Sequence, residues 1–205
     1  MAGGAEVMDV AGASIDLAGV STAQKVILVE GGSDKAALEA LAVRRDQVLG
    51  RGGIHVVAMG GATSIGHFLQ VLGPHGINAK LAGLCDAGQE GYIRDALARG
   101  GLGSSASRAG MEALGFYVCT ADLEDELIRA VGTVAVEQII QAQGELRSLR
   151  RLQQQPGQQW HSAGEQLHRF LGTRSGRKSK YARLLAEALD LARVPRPMDR
   201  VLAHP

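Results

Sequence analysis

A chain of 205 residues with 45% apolar content can bury one sizeable core and leaves room for a small appendage, hardly for two full domains. Aromatic residues make up 3% of the chain while glycines number 28, which argues against β-sandwich cores and base-stacking platforms and for tight turns and close backbone approaches. The net charge of +1 hides a split: residues 1–144 hold 10 Lys and Arg against 16 Asp and Glu, residues 145–205 hold 12 against 5. That split fits a cation-holding acidic site beside a basic surface for a polyanion, and equally an ordinary solvated helical surface.

No apolar run approaches the roughly 20 residues that span a bilayer, and Met1–Val20 has no basic start followed by an apolar stretch, so a soluble, unsecreted protein is expected. Cys85 and Cys119 each end an apolar run and read as buried free thiols, a usage that suits a reducing cytoplasm.

In chain order, Met1–Gln24 reads as a flexible N-terminal arm with no chemistry of its own. From Lys25 onward, short apolar runs at Val26–Val29, Ile54–Met59, Leu81–Cys85 and Phe116–Cys119 predict strands. Between them Ser33–Arg44, Thr63–Leu72 and Tyr92–Arg99 have helical spacing, so the pattern predicts an α/β fold whose parallel four-stranded sheet is flanked by helices. A helix over Asp122–Val131 closes this domain, residues 25–132. The rest, residues 133–205, reads as a C-terminal helical extension: a long helix Val134–Leu152, a polar loop Gln153–Trp160, and helices Ser162–Leu171 and Lys178–Ala192.

Ligands of open parallel sheets sit beyond the carboxyl ends of the strands, and the acids of interest fall there. Glu30 follows the first strand in Val29-Glu30-Gly31-Gly32-Ser33-Asp34, Asp86 the third in Leu84-Cys85-Asp86-Ala87-Gly88-Gln89-Glu90, and Asp122, Glu124, Asp125 and Glu126 the fourth. Gathering so many like charges is costly unless a cation neutralises them, and carboxylates with water suit Mg²⁺ or Mn²⁺. Helix capping and a solvated first turn are the alternative for Asp34, Asp122 and Asp125.

These segments carry a family resemblance. An acid followed by glycine with a second acid four residues on, then Leu84-Cys85-Asp86-Ala87-Gly88 where an Asp-x-Asp motif falls, resembles the Toprim pattern, a Rossmann-like fold. Asp122-Leu123-Glu124-Asp125-Glu126-Leu127 and Arg177-Lys178-Ser179-Lys180-Tyr181-Ala182 resemble the nuclease half of the overcoming-lysogenization-defect (OLD) family and its standalone nucleotidyl transferase/hydrolase-like relatives. The resemblance implies a Mg²⁺- or Mn²⁺-dependent endonuclease. Its metal ligands would come from Glu30, Asp34, Asp86, Glu90, Asp122, Glu124 and Glu126, with catalytic roles for Glu30 and for Lys178, Lys180 being the competing lysine. The chain departs from the pattern at Gly88, where the motif's second acid is missing, and Glu90 is the nearest replacement. A non-catalytic nucleic-acid-binding module and a nucleotidyl transferase therefore stay open as alternatives.

Nucleic acid, DNA in preference to RNA, is the expected partner, held by Arg174, Arg177, Lys178, Lys180 and Arg183 together with Arg169. Arg147, Arg150 and Arg151 extend that surface or form a solvated helix face. Trp160, the single indole, reads as a packing residue. No Gly-x-x-x-x-Gly-Lys-Ser/Thr loop occurs, so any ATPase would come from a separate chain, and a homodimer stays open. Gly60-Gly61-Ala62-Thr63-Ser64 reads as a plain turn or a phosphate-contacting loop. The six histidines show no His-x-x-x-His cluster, neither cysteine has a partner at zinc-ligand spacing, and no Gly-x-Ser-x-Gly elbow is present.

Overall fold

The computed structural model describes residues 7–10, 13–104, 107–174 and 176–205. An antiparallel hairpin, β1 (Val7–Val10) and β2 (Ala13–Asp16), leads into the short helix α1 (Leu17–Ser21), which Asp16 caps. The segment expected to be an arm thus carries regular structure, and Val20 is buried in the core. The expected β-α alternation follows: β3 (Lys25–Val29), α2 (Gly32–Arg44), β4 (Ile54–Ala58), α3 (Ile65–Leu72), β5 (Leu81–Cys85), α4 (Glu90–Arg99), α5 (Arg108–Ala113), β6 (Phe116–Val118) and α6 (Leu123–Val131). The extension is helical: α7 (Thr133–Ala142), α8 (Leu146–Gln153), α9 (Ala163–Gly172), α10 (Arg177–Ala188) and α11 (Arg196–Ala203).

Strands β3 and β5 are buried along their whole length, as continuous apolar runs require when helices cover both faces. The sheet order is β4-β3-β5-β6, all parallel, with Val29 opposite Ala58, Leu28 opposite Gly83 and Cys85 opposite Val118. Because the chain passes from β3 to β4 on one side and returns to β5 on the other, the order reverses between β3 and β5. A crevice therefore opens beyond their carboxyl ends. Gly83 is required in β5: a Cβ there would lie 2.4 Å from the Phe116 ring.

Two cores sandwich the sheet. On one face α3 and α4 bury Ile65, Phe68, Leu69, Leu72, Ile93 and Leu97. On the other, α2 presents Leu38, Leu41 and Ala42, and α10 lies along it with Tyr181, Ala182, Leu185 and Ala186. The extension is thus built into the same core as the sheet, which carries α9 and α10 toward the strand ends.

Four expectations are corrected. The single helix over 134–152 is two, because Gly144 adopts φ +71°, a left-handed conformation that ends α7 and reverses the chain into α8. Helix α10 stops at Ala188, short of Ala192. Helices α5 and α11 were not foreseen. Trp160 is 92% exposed and packs no core. Both cysteines are free and buried, as expected. No helix among the described residues is long and apolar enough to cross a membrane.

Candidate metal centre

Three carboxyl edges deliver acids to the crevice. After β3, Glu30 is tied into the sheet edge by its carbonyl, which accepts from Gly61 N–H at 3.0 Å, while its Oε2 is buried with no hydrogen-bond partner. Asp34 in the first turn of α2 bends back, its Oδ2 accepting from Gly31 N–H at 2.8 Å. After β5, Cys119 N–H donates to the Cys85 carbonyl and Ala87 N–H to the Ala121 carbonyl, each at 2.9 Å, which stitches the Asp86 loop to the segment that leads into α6.

Asp122 caps α6, its Oδ1 accepting from Asp125 N–H at 2.8 Å, and its Oδ2 lies 2.6 Å from His168 Nε2 of α9. One turn of α6 on, Glu124 is only 2% exposed: Oε2 pairs with Lys178 Nζ of α10 at 3.1 Å and Oε1 has no partner. Ligand atoms of Asp122, Glu124 and His168 all lie within 4.8 Å of one another.

The electrostatics record the crowding. Burial, then the negative charges of Asp34, Asp122, Glu30 and Glu124, push the Asp86 carboxyl up to about 7. Burial also lifts Asp34 to about 6, against its Gly31 hydrogen bond and with help from Glu124 and Glu30. At Asp122 burial opposes ionisation, but the His168 and Asp125 hydrogen bonds outweigh it and hold the carboxyl below its usual range. The hydrogen bond to Asp122 raises His168. Lys178 is raised as well, Glu124 outweighing partial burial. Five acids, Glu30, Asp34, Asp86, Asp122 and Glu124, therefore share one field, with two carboxylate oxygens that no protein donor meets. Oxygen-rich donors of this kind fit a hard divalent cation.

Two of the expected ligands are engaged elsewhere. Glu126 accepts from Thr120 N–H at 2.7 Å and pairs with Arg129 at 2.8 Å, so it braces the turn between β6 and α6. Glu90 pairs with Arg108 at 2.7 Å. At Gly88 an added Cβ would meet nothing within 4 Å, so the missing acid leaves open space.

The basic residues divide in the same way. Arg177 is turned inward: it donates to the Phe170 carbonyl (3.2 Å), Thr173 Oγ1 (2.6 Å) and Glu145 Oε2 (2.6 Å) and stacks on the Phe170 ring, a staple between α9 and α10. Lys180 pairs with Glu145 and Arg183 with Glu187. Arg169 and Arg174 are exposed with no acidic partner among the described residues. Beside the acids, a cleft of about 630 Å³ runs between α6 and α9, with Asp122, His168 and Arg169 in its wall. His168 is the residue that spacing could not reveal, since it stands 46 positions from Asp122 and meets it only through the packing of α9 on α6.

Residues 22–87 match the family model described as overcoming lysogenization defect protein-like, TOPRIM domain, and over that stretch the chain carries a Toprim domain resembling those of OLD proteins. The whole fold is similar to the C-terminal region of the Burkholderia pseudomallei OLD protein, at TM-score 0.65 and 18% identity over 88% of this chain and 95% of that one. It is also similar to the C-terminal region of the Xanthomonas campestris pv. campestris OLD protein, at TM-score 0.63 and 23% identity over 88% and 93%. A search of curated proteins returns no match.

Proposed function

We propose that this chain is a metal-dependent phosphodiester hydrolase acting on nucleic acid, with DNA as its substrate in preference to RNA. The observation that carries the reading is the convergence of Glu30, Asp34, Asp86, Asp122 and Glu124 from three strand ends, with Glu30 Oε2 and Glu124 Oε1 buried and unmet by any donor. Carboxylates are kept in such a place, against their mutual repulsion, when a cation joins them. A Mg²⁺ or Mn²⁺ ion taken up among these acids, of which Asp122 and Glu124 with His168 bring ligand atoms within 4.8 Å of one another, would supply charge neutralisation at the phosphate and an acidified water.

The remaining roles belong to the chain. Lys178, fixed at the site by Glu124, can place its ammonium against charge developing on the scissile phosphate. Arg169 and Arg174, free of acidic partners, can hold neighbouring phosphates without reading sequence. The Asp122–His168 bond fixes α9 over the site and so sets where the cleft opens.

Nicking of supercoiled plasmid in Mg²⁺ or Mn²⁺ is the expected result, lost in Glu30→Gln and Asp86→Asn. Nicking that persists unchanged in both variants removes the site assignment. The space at Gly88 favours a second reading, a nucleic-acid-binding module with a degenerate site; DNA binding with a steep salt dependence but no nicking in either metal would establish it.

A further inference from the structure

On the nuclease reading above, we propose that the cleft between α6 and α9 is a pocket for one unpaired nucleobase, stacked on Trp160 and hydrogen-bonded to Gln158. The substrate strand is then single or locally opened, not intact duplex. A paired base keeps both faces and its pairing edge inside the double helix and cannot enter a cleft.

The cleft, of about 630 Å³, has the size of small-molecule sites, which run from about 300 to 1,000 Å³, and its wall is more apolar than polar, with Ala121 and Ile128 in it. Gln158 stands in that wall at 5% exposure, and its Oε1 is buried with no hydrogen-bond partner among the described residues. The backbone of Gln158 is pinned: its N–H donates to the Gln155 carbonyl at 2.8 Å, and its carbonyl accepts from His161 N–H at 3.1 Å and Gln166 Nε2 at 2.8 Å. The carboxamide is left to turn about a torsion of broad preference, and the donor its oxygen lacks has to come from a guest in the cleft. The exocyclic amino group of adenine, cytosine or guanine is such a donor.

The charges of the wall decide which part of a nucleotide enters. Arg129 faces Asp125 and Glu126, His161 faces Glu165 and His168 faces Asp122, so Arg169 is the wall cation left without an acidic partner among the described residues. A neutral base therefore suits the interior, and the phosphate belongs at Arg169. His168 and Arg169 also line a smaller hollow of about 420 Å³ that reaches Lys178, which continues the path from the cleft to the acidic centre. Trp160 lies in the chain between Gln158 and His161, both in the wall, and is 92% exposed. One indole held in water beside a cleft is enough to stack one base.

The test uses the full chain in chelator, with an end-labelled oligonucleotide of mixed sequence followed by anisotropy and with the emission of Trp160, the single tryptophan. The strand is offered alone, annealed to its complement, and with abasic sites throughout. Wild type is expected to bind the single strand at least about tenfold more tightly than the duplex or the abasic strand, with quenching of Trp160. Trp160→Ala should weaken single-strand binding at least about fivefold, and Trp160→Phe by less. Gln158→Leu, which keeps the bulk and removes the orphan oxygen, should weaken it severalfold and leave duplex binding unmoved.

Equal affinity for the three forms, no binding of any of them, or single-strand binding indifferent to both Trp160→Ala and Gln158→Leu overturns the pocket. Metal-dependent nicking of plasmid in that event leaves the nuclease reading standing on the acidic site and its phosphate contacts alone. Base-dependent binding of single strands without nicking in Mg²⁺ or Mn²⁺ keeps the pocket and makes the chain the binding module of the second reading.

Discussion

The two edges of the sheet bury charge in opposite ways. At the amino edge Lys25, in the first position of β3, is buried and donates to the carbonyls of Leu202 (2.9 Å) and His204, while Arg45 pairs with Asp199 of α11 at 2.6 Å. The Lys25 charge is met by backbone oxygens, one of which, the Leu202 carbonyl, also accepts from Gln47 Nε2 at 3.2 Å, and the arrangement anchors the C-terminal helix. At the carboxyl edge, carboxylates face one another and two of their oxygens are met by nothing. The contrast recurs within one turn of α6: Glu126 and Glu124 are both buried, but Glu126 receives Thr120 N–H and Arg129, and Glu124 keeps an orphan oxygen. Buried charge is satisfied at the amino edge and left partly unsatisfied at the carboxyl edge.

The sharpest way to break the comparison is Asp86→Asn. If the carboxyl edge is kept for a cation, nicking should fall by at least about 100-fold while the metal-free protein becomes more stable, because one member of a repelling cluster has been neutralised. The pH dependence supports the same test. Asp86 at about 7 and Asp34 at about 6 bind protons more tightly in the folded chain than unfolded carboxylates do. Between pH of about 4 and about 7 the folded state thus carries more protons, and metal-free stability falls as pH rises through that window. Thermal melts in chelator should give a Tm several degrees higher at pH 5.5 than at pH 8, and Mn²⁺ should raise the pH 8 value most. A metal-free melting curve indifferent to pH would remove the crowding on which the site assignment depends.

At the amino edge the expected signs reverse. Lys25→Ala removes the donor to the His204 carbonyl and leaves the Leu202 carbonyl to Gln47 alone, at a cost of about 1–3 kcal/mol, so Tm should drop by several degrees with Mn²⁺ binding unchanged. Loss of metal binding without loss of stability would show that α11 reaches the site through Lys25.

Much of this division was legible in the sequence. The runs at Val26–Val29 and Leu81–Cys85 are apolar without alternation, which marks strands buried on both faces, so acids directly after them must stand at the sheet's carboxyl edge. Glu30 and Asp86 were readable for that reason. What sequence could not assign was direction. Glu124 and Glu126 sit two apart at the start of one helix, and only the position of Thr120 N–H, Arg129 and Lys178 decides which turns into the site. Arg177 reads as a surface cation until Glu145, 32 positions away, draws it inward. His168 joins Asp122 across 46 positions, a contact made by helix packing that leaves no local trace. Helix α11 begins at Arg196 with Pro197 in its first turn, a start signal hidden by the prolines around it.

The smallest expected effect sharpens the comparison from the side of gain. Gly88 lies in the loop after β5 with open space around it: an added Cβ meets nothing within 4 Å, and the backbone there is not in the left-handed region that would resist a side chain. Gly88→Asp should therefore fold without penalty, and it places an oxygen donor beside the crevice. Carboxylate oxygen suits Mg²⁺, so nicking in Mg²⁺ should rise several-fold. The same variant should lower the metal-free Tm at pH 8, because it adds a carboxylate to a cluster that already repels Asp86, and Mg²⁺ should restore it. A Gly88→Asp protein that gains neither Mg²⁺ activity nor Mg²⁺-dependent stability would mean that the β5 loop does not point into the centre, and Asp86 would lose its claim to be a ligand along with it.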